Sequence, residues 1–321
     1  MKNKKHMKDL KIVFMGTPEF AATTLEKLVD ADYNVVGVIT APDRPAGRGR
    51  KLQESAVKKY SESKGLKVLQ PTNLKNEQFL EELKSLNANL QIVVAFRMLP
   101  KAVWAMPEYG TFNLHASLLP QYRGAAPINW AIMNGETETG ATTFFIDEKI
   151  DTGEIILQEK TSIAPNDNAG MLHDKLMHLG ADLVIKTVKE IEQGTVSTKR
   201  QPMNVELKEA FKIHKETCQV NWSASPENIH NHIRGLSPYP AAWTTLINGT
   251  DEILVKIYDS EIEKAAHDQT IGHILATKKE LKVAVKDGFI NLLEVQLQGK
   301  KRMKTQDMLN GIDLAKNAHM L

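Results

Sequence analysis

The sequence predicts an α/β protein in two parts: a Rossmann-like domain built on a mostly parallel sheet, then a small C-terminal β-barrel of OB-like type. Three observations carry this. From Leu10 to Gln193, short apolar runs alternate with helical patterns, the arrangement that puts helices on both faces of a parallel sheet. A long amphipathic segment from Asn168 to Glu192 runs into Gly194, and a glycine just past a helix is its usual stop. Beyond it, five short strand-like runs follow one another, as a small barrel requires.

The elements follow in order. LKIVFM, NVVGVIT, LQIVVAF and GTFNLH read as buried strands, with periodic segments between them. FMGTPEF opens like a nucleotide-binding unit but carries only Gly16 of the three glycines that let a pyrophosphate approach the backbone. It reads instead as a tight turn with Pro18 in the first helical turn. In the closing helix, Leu172, Leu176, Leu179, Leu183 and Val184 recur near helical spacing. Thr195 to Glu216 has no clear period and includes QPMN, and so reads as a connector. SPEN, from Ser225, signals a helix start. AAWTTLI, EILVKIYD, TIGHILAT, LKVAVK and GFINLLEV then supply the barrel strands. The domains are accordingly placed at 8–194 and 217–321, with 195–216 as linker.

Composition narrows the function classes. With 321 residues, 42% hydrophobic and 25% charged, the chain has material for two domains. Its net charge of +2 provides no overall field for nucleic acid, so such a contact must come from local patches. The single cysteine, Cys218, excludes a disulfide framework and a cysteine metal cluster, and favours a reducing compartment. No apolar run approaches the roughly 18 residues of a membrane span, and MKNKKHMKDL lacks the apolar segment of a signal peptide. The expectation is a cytoplasmic monomer without membrane association.

In sheets of this kind, ligands bind beyond the carboxyl ends of the strands. Five polar or glycine-rich segments lie there: Gly16 to Glu19, Ala41 to Lys51, Arg97 to Pro100, Asn113 to Gly124, and Asp151 to Ile156. If TFNLH is a strand, its alternation puts Asn113 and His115 on one face at its end. An isolated Asn-x-His is most often a satisfied sheet-edge histidine. Two neighbours argue otherwise here: the stiff SLLPQYRGAAP loop beside the pair, and Asp151 in KIDTGEII, in a turn between strands. An amide, an imidazole and a carboxylate together can stabilise an oxyanion and move a proton, as acyl transfer to an amine requires. That chemistry needs no metal.

The segment HASLLPQYRGAAPINWAI, with DTGEII and FMGTPEFA, resembles the folate-dependent formyltransferases, and the resemblance runs from Lys11 to about Gly311. It implies 10-formyltetrahydrofolate as cosubstrate, with formyl transfer to the α-amino group of methionine on initiator methionyl-tRNA, for translation initiation. It makes Asn113, His115 and Asp151 catalytic: the Asn113 amide and protonated His115 stabilise the oxyanion, while Asp151 orients His115 and relays a proton. It places folate against Ser117, Leu118, Leu119 and Pro120, and along Val94, Ala95, Phe96, Arg97 and Leu99. The VVAFRMLP segment departs from the family pattern, which has a slightly longer glycine-containing loop there.

The run APDRPAGRGRKL carries Arg44, Arg48, Arg50 and Lys51 against few acidic residues. Such a run is usually a solvated face; the resemblance makes it the loop that enters the tRNA acceptor stem. Lys300, Lys301 and Arg302 form a second basic cluster, expected to contact backbone phosphates. A formyltransferase for a small-molecule amine, or a formyltetrahydrofolate hydrolase, would share the catalytic trio without needing the basic loop or barrel. A plain RNA-binding module would need no trio.

Overall fold

A computed structural model describes residues 7–46, 51–202 and 206–321. The chain divides into two compact units. The first holds the chain up to Arg123, Gly140–Thr161 and Asp174–Lys208; the second holds Gly124–Thr139, Ser162–His173 and Glu209–Leu321. No helix among the described residues is long and apolar enough to cross a membrane.

The first unit is built on a seven-stranded sheet. Its strands are β1 Ile12–Gly16, β2 Val35–Ile39, β3 Val68–Leu69, β4 Leu90–Val94, β5 Thr111–His115, β6 Glu138–Phe145 and β7 Ile155–Ser162. Their order is β7-β6-β5-β4-β1-β2-β3. Neighbours from β3 to β5 run parallel, and β6 returns antiparallel to β5. The mostly parallel, Rossmann-like sheet expected from the alternation is therefore present. β1 and β4 are buried at every position, which is why they read as unbroken apolar runs. Edge strand β7 alternates exposed and covered residues after its first two positions, the pattern of a strand with one wet face.

The first helix spans Glu19–Asp30, with Pro18 at its cap, one position earlier than the sequence reading placed it. The helix Ala169–Gln193 matches the predicted closing helix, and Gly194, at φ +62°, supplies the left-handed residue that ends it. From Asp174 onward this helix packs in the first unit. Leu114 of β5 fills the space that a side chain at Gly180 would need, and Thr187 hydrogen-bonds Thr143 at 2.8 Å. One face of β5 is thereby closed.

The second unit is the expected antiparallel barrel. Its strands are β8 Ala242–Asn248, β9 Asp251–Lys264, β10 Ile274–Ala276, β11 Leu281–Val285, β12 Gly288–Leu297, β13 Met303–Lys304 and β14 His319–Met320. The order is β10-β11-β12-β9-β8-β14, with β13 on β12. A bridge between His273 and His319 joins the two ends, so the sheet is nearly closed. The helix Pro226–Leu236 begins where SPEN predicted, with the Ser225 hydroxyl accepting the Asn228 amide at 3.2 Å. Its Ile229, Ile233 and Leu236 enter the barrel core with Trp222, Leu246, Ile257 and Val283.

Two partly buried histidines on that helix give the second unit a pH-dependent stability. Desolvation lowers the pKa of both His230 and His232, and the Arg234 charge lowers that of His230 further. The folded state therefore favours the neutral imidazoles. Below the unfolded value near 6.5, the unfolded chain binds protons that the folded chain refuses, so stability falls as pH drops through that value. The melting temperature should decline from pH 7.5 to 5.5, and less steeply in His232→Gln. An equal slope in the variant would remove His232 from this account.

Candidate active site

β5 positions the first two polar groups. With Phe112 and Leu114 buried on one face, Asn113 and His115 project from the other. Asn113 lies between Val93 of β4 and Phe144 of β6, and His115 opposite Thr142. Asn113 is partly exposed and His115 is buried. The His115 Nε2 atom stands 2.8 Å from the Tyr122 carbonyl oxygen. A carbonyl can only accept, so Nε2 carries a proton and donates it there. The Tyr122 peptide N–H in turn donates to the Lys208 carbonyl at 2.6 Å. This leaves Nδ1 as the imidazole atom facing Asp151, with Oδ2 3.8 Å away. That is a charge contact with room to tighten, not a formed hydrogen bond.

Asp151 comes from the loop between β6 and β7. Thr152 donates its hydroxyl to the Asp147 carboxylate, at 2.8 and 3.0 Å from its two oxygens, and the Lys149 amide donates to the same group at 3.0 Å. Asp151 itself sits at φ +54°, the left-handed region. There a residue with a Cβ is strained by about 1–3 kcal/mol and persists only when its surroundings hold it. Gly153 passes so close to β6 that a Cβ on it would lie 1.7 Å from the Phe145 carbonyl oxygen. The DTG triplet thus combines an aspartate in a strained backbone, a threonine that staples the loop, and a residue with no side chain. The carbonyls of Asp151 and Gly153 both accept from Gln201 Nε2, at 2.9 and 2.8 Å. Sequence reasoning missed Gln201, since nothing in the connector's composition distinguishes it.

The proposed folate segments follow β4 and β5, two adjacent parallel strands, and so flank the same end of the sheet. Ser117 is fully buried, with its hydroxyl on the Gln121 carbonyl at 2.7 Å and its own carbonyl accepting Thr142 Oγ1 at 2.6 Å. Leu119 donates its amide to Thr142 Oγ1, accepts Gln158 Nε2 at its carbonyl, and clusters with Phe144 and Ile155. Leu118 and Pro120 are partly exposed. Val94 and Leu99 are buried, so what they can offer a ligand is chiefly backbone. Between them Ala95, at φ +47°, is exposed with Arg97, while Phe96 is partly buried. Arg97 donates to the carbonyls of Pro71 and Thr72. Burial, then the like charge of Arg44, lowers its pKa.

Arg44 is exposed on a short ribbon in which Arg44–Ala46 pairs antiparallel with Lys51–Gln53. Arg48 and Arg50 lie outside the described residues. Lys58, which extends this basic run, is taken up by Asp43 at 2.5 Å and Glu54 at 2.9 Å, and those hydrogen bonds, Asp43 first, raise its pKa. In the second unit Lys300 and Lys301 are exposed after β12. Arg302 is engaged locally: it pairs with Glu294 and lies 4.3 Å from the Tyr258 ring centre.

Comparison with known proteins places this chain in a family. The model described as "Formyl transferase" matches residues 10–188, and "Formyl transferase, C-terminal domain" matches 212–313. A protein of Flavobacterium johnsoniae named methionyl-tRNA formyltransferase is 58% identical over 312 residues, 97% of this chain and 99% of that protein. One of the same name from Bacteroides thetaiotaomicron is 54% identical, over 96% of this chain and 97% of that one. Among solved structures, WlaRD, a sugar 3N-formyl transferase crystallised with dTDP and 5-N-formyl-THF, aligns with a TM-score of 0.63 at 22% identity, over 92% of this chain and all of that one. HypX from Aquifex aeolicus with tetrahydrofolic acid aligns at 0.64 and 14% identity, over 94% of this chain and 47% of that one. At such identities these two share the fold. With two family models covering most of its length and relatives matched nearly end to end, the chain belongs to the formyl transferase family.

Proposed function

We propose that the chain transfers the formyl group of 10-formyltetrahydrofolate to the α-amino group of methionine carried by initiator tRNA. The observation that carries the choice of substrate is the match, at 54–58% identity and nearly full length, to relatives named methionyl-tRNA formyltransferase. A small-molecule amine as acceptor is not favoured, because the likeness to a sugar formyltransferase is one of fold alone.

The site fits a folate cosubstrate. The exposed Ala95, Arg97 and Met98 follow β4 and the partly exposed Leu118 follows its neighbour β5, and apolar walls with a few backbone partners suit a flat heteroaromatic ring. The folate supplies the formyl group. As the amine attacks, charge develops on the formyl oxygen, and Asn113, whose amide makes no hydrogen bond among the described residues, donates to it. With Nε2 occupied by Tyr122, His115 acts through Nδ1. In its protonated form, Nδ1–H aids the oxyanion, and the Asp151 carboxylate stabilises the cation. Asp151 also takes the proton released by the attacking amine and passes it to the leaving folate nitrogen.

Incubation with 10-formyltetrahydrofolate and charged initiator tRNA, a panel of amines, or water alone tests this. Formylation confined to the charged tRNA is the expected result. Formylated small amines, or hydrolysis alone, would overturn it.

The basic residues should divide by kind of contact. Arg48 lies between two glycines, where its guanidinium can make paired hydrogen bonds that lysine cannot. Arg48→Ala, and even Arg48→Lys, should lower formylation of the initiator and narrow its advantage over an elongator tRNA with an unpaired end. Lys301→Ala should weaken both tRNAs equally and reduce the salt slope by roughly one ion. Parallel weakening of all tRNAs by Arg48→Ala at every salt concentration would make Arg48 only another phosphate contact.

A further inference from the structure

Gln201 is buried, and both ends of its amide are engaged. Its Oε1 accepts from Arg123 Nε at 3.1 Å and Nη2 at 2.6 Å. Its Nε2 donates to the carbonyls of Asp151 and Gly153 at 2.9 and 2.8 Å. A guanidinium only donates and peptide carbonyls only accept, so the Arg123 fork fixes which way the amide points. The backbone before Gln201 is anchored as well. Ile155 and Lys199 exchange two backbone hydrogen bonds, at 2.8 and 2.9 Å, beside β7.

We propose that Gln201, oriented by Arg123, is a positioning residue for Asp151: its amide clamps the 151–153 turn in the left-handed geometry from which the carboxylate faces His115. The inference rests on the reading of Asp151 as catalytic. The clamp grips the carbonyls on either side of Thr152, where the backbone is least able to hold itself, Asp151 standing at φ +54°. It also ties the two partners together. Arg123 directly follows Tyr122, whose carbonyl holds His115 Nε2. One short stretch of chain therefore fixes the imidazole through its backbone and the aspartate through Gln201.

The test uses the full chain with Gln201→Ala, Gln201→Glu, Asp151→Asn and the Gln201→Ala/Asp151→Asn double variant. It follows kcat, KM for both substrates and thermal melting. Gln201→Ala should lower kcat by about ten- to a hundredfold, with each KM within about threefold. Gln201→Glu has nearly the same shape and keeps an acceptor for Arg123, but turns an oxygen toward the two carbonyls. It should fall at least as far, and its shape keeps the test valid if the alanine variant folds poorly. In the Asp151→Asn background, Gln201→Ala should add less than about threefold, because its effect runs through the carboxylate. Full kcat in Gln201→Glu, or multiplying losses in the double variant, would overturn the clamp. Full activity in Asp151→Asn would instead overturn the catalytic reading on which it rests.

Discussion

Asp151→Asn should lower turnover by about a hundredfold or more while changing tRNA affinity far less. Asparagine keeps the size of the side chain and tolerates the left-handed backbone at φ +54°, so the turn survives and only the charge and the proton acceptor are lost. The group opposite, His115 Nδ1, stands 3.8 Å from the carboxylate. Without that charge Nδ1 loses its facing carboxylate, and the proton of the attacking amine has no carboxylate to take it. His115→Ala and Asn113→Ala should fall comparably, since both act where charge develops in the transition state. Single-turnover formylation together with tRNA binding separates the two effects. Full turnover in Asp151→Asn, or a loss matched by an equal loss of tRNA affinity, would remove the carboxylate from the chemistry.

Gly153→Ala should have an effect of similar size by a different route. The added methyl would lie 1.7 Å from the Phe145 carbonyl oxygen, and what it meets is backbone of β6, not a flexible side chain. Either β6 or the loop must move. The carbonyl of Gly153 is also one of the two held by Gln201, so displacement reaches Asp151 directly. Overpacking of this kind costs about 1–3 kcal/mol or more, and a shift of about 1 Å at a reacting group can cost about a hundredfold in rate. A lower melting temperature and a loss of turnover should therefore appear together. Gly249→Ala is the control, because a Cβ there meets nothing within 4 Å and only its φ of +65° is unfavourable. It should leave turnover intact. A fully active, fully stable Gly153→Ala would mean that the loop has slack the geometry does not suggest.

How much could be read in advance follows from how each feature is made. β1 and β4 were legible because burial at every position writes a nearly unbroken apolar run, β2 because it is apolar apart from one glycine, and β5 because Phe112 and Leu114 alternate with polar residues. β6, with its threonines, and the two-residue β3 carry no such signature, and β7 announces itself only at its first two residues. Asn113 and His115 were legible through the two-residue period of a strand. Asp151 stood out as part of a motif, but its left-handed backbone and the stapling of its loop by Thr152 and Asp147 arise only on folding. Gln201 was hidden, since its role comes from meeting Arg123 and the 151–153 turn, residues far from it in the chain. The engagement of Arg302 was hidden for the same reason: a charge count does not reveal that Glu294 lies across the strand pair and Tyr258 beneath the guanidinium.

The division of the chain into units has a consequence for inheritance. The polypeptide changes unit five times, after Arg123, Thr139, Thr161, His173 and Lys208. No single genetic crossover can therefore exchange one unit intact for that of a relative. A chain cut near Leu207 keeps the helix Pro127–Met133 but loses Pro226–Leu236, whose Gly235 carbonyl accepts the Asn129 amide at 2.7 Å. The same interleaving bears on synthesis at the ribosome. Segments made early, 124–139 and 162–173, must wait for residues beyond 209 before their own unit exists. Recombination within this fold is thus constrained to several matched junctions at once, and the two units are expected to descend together.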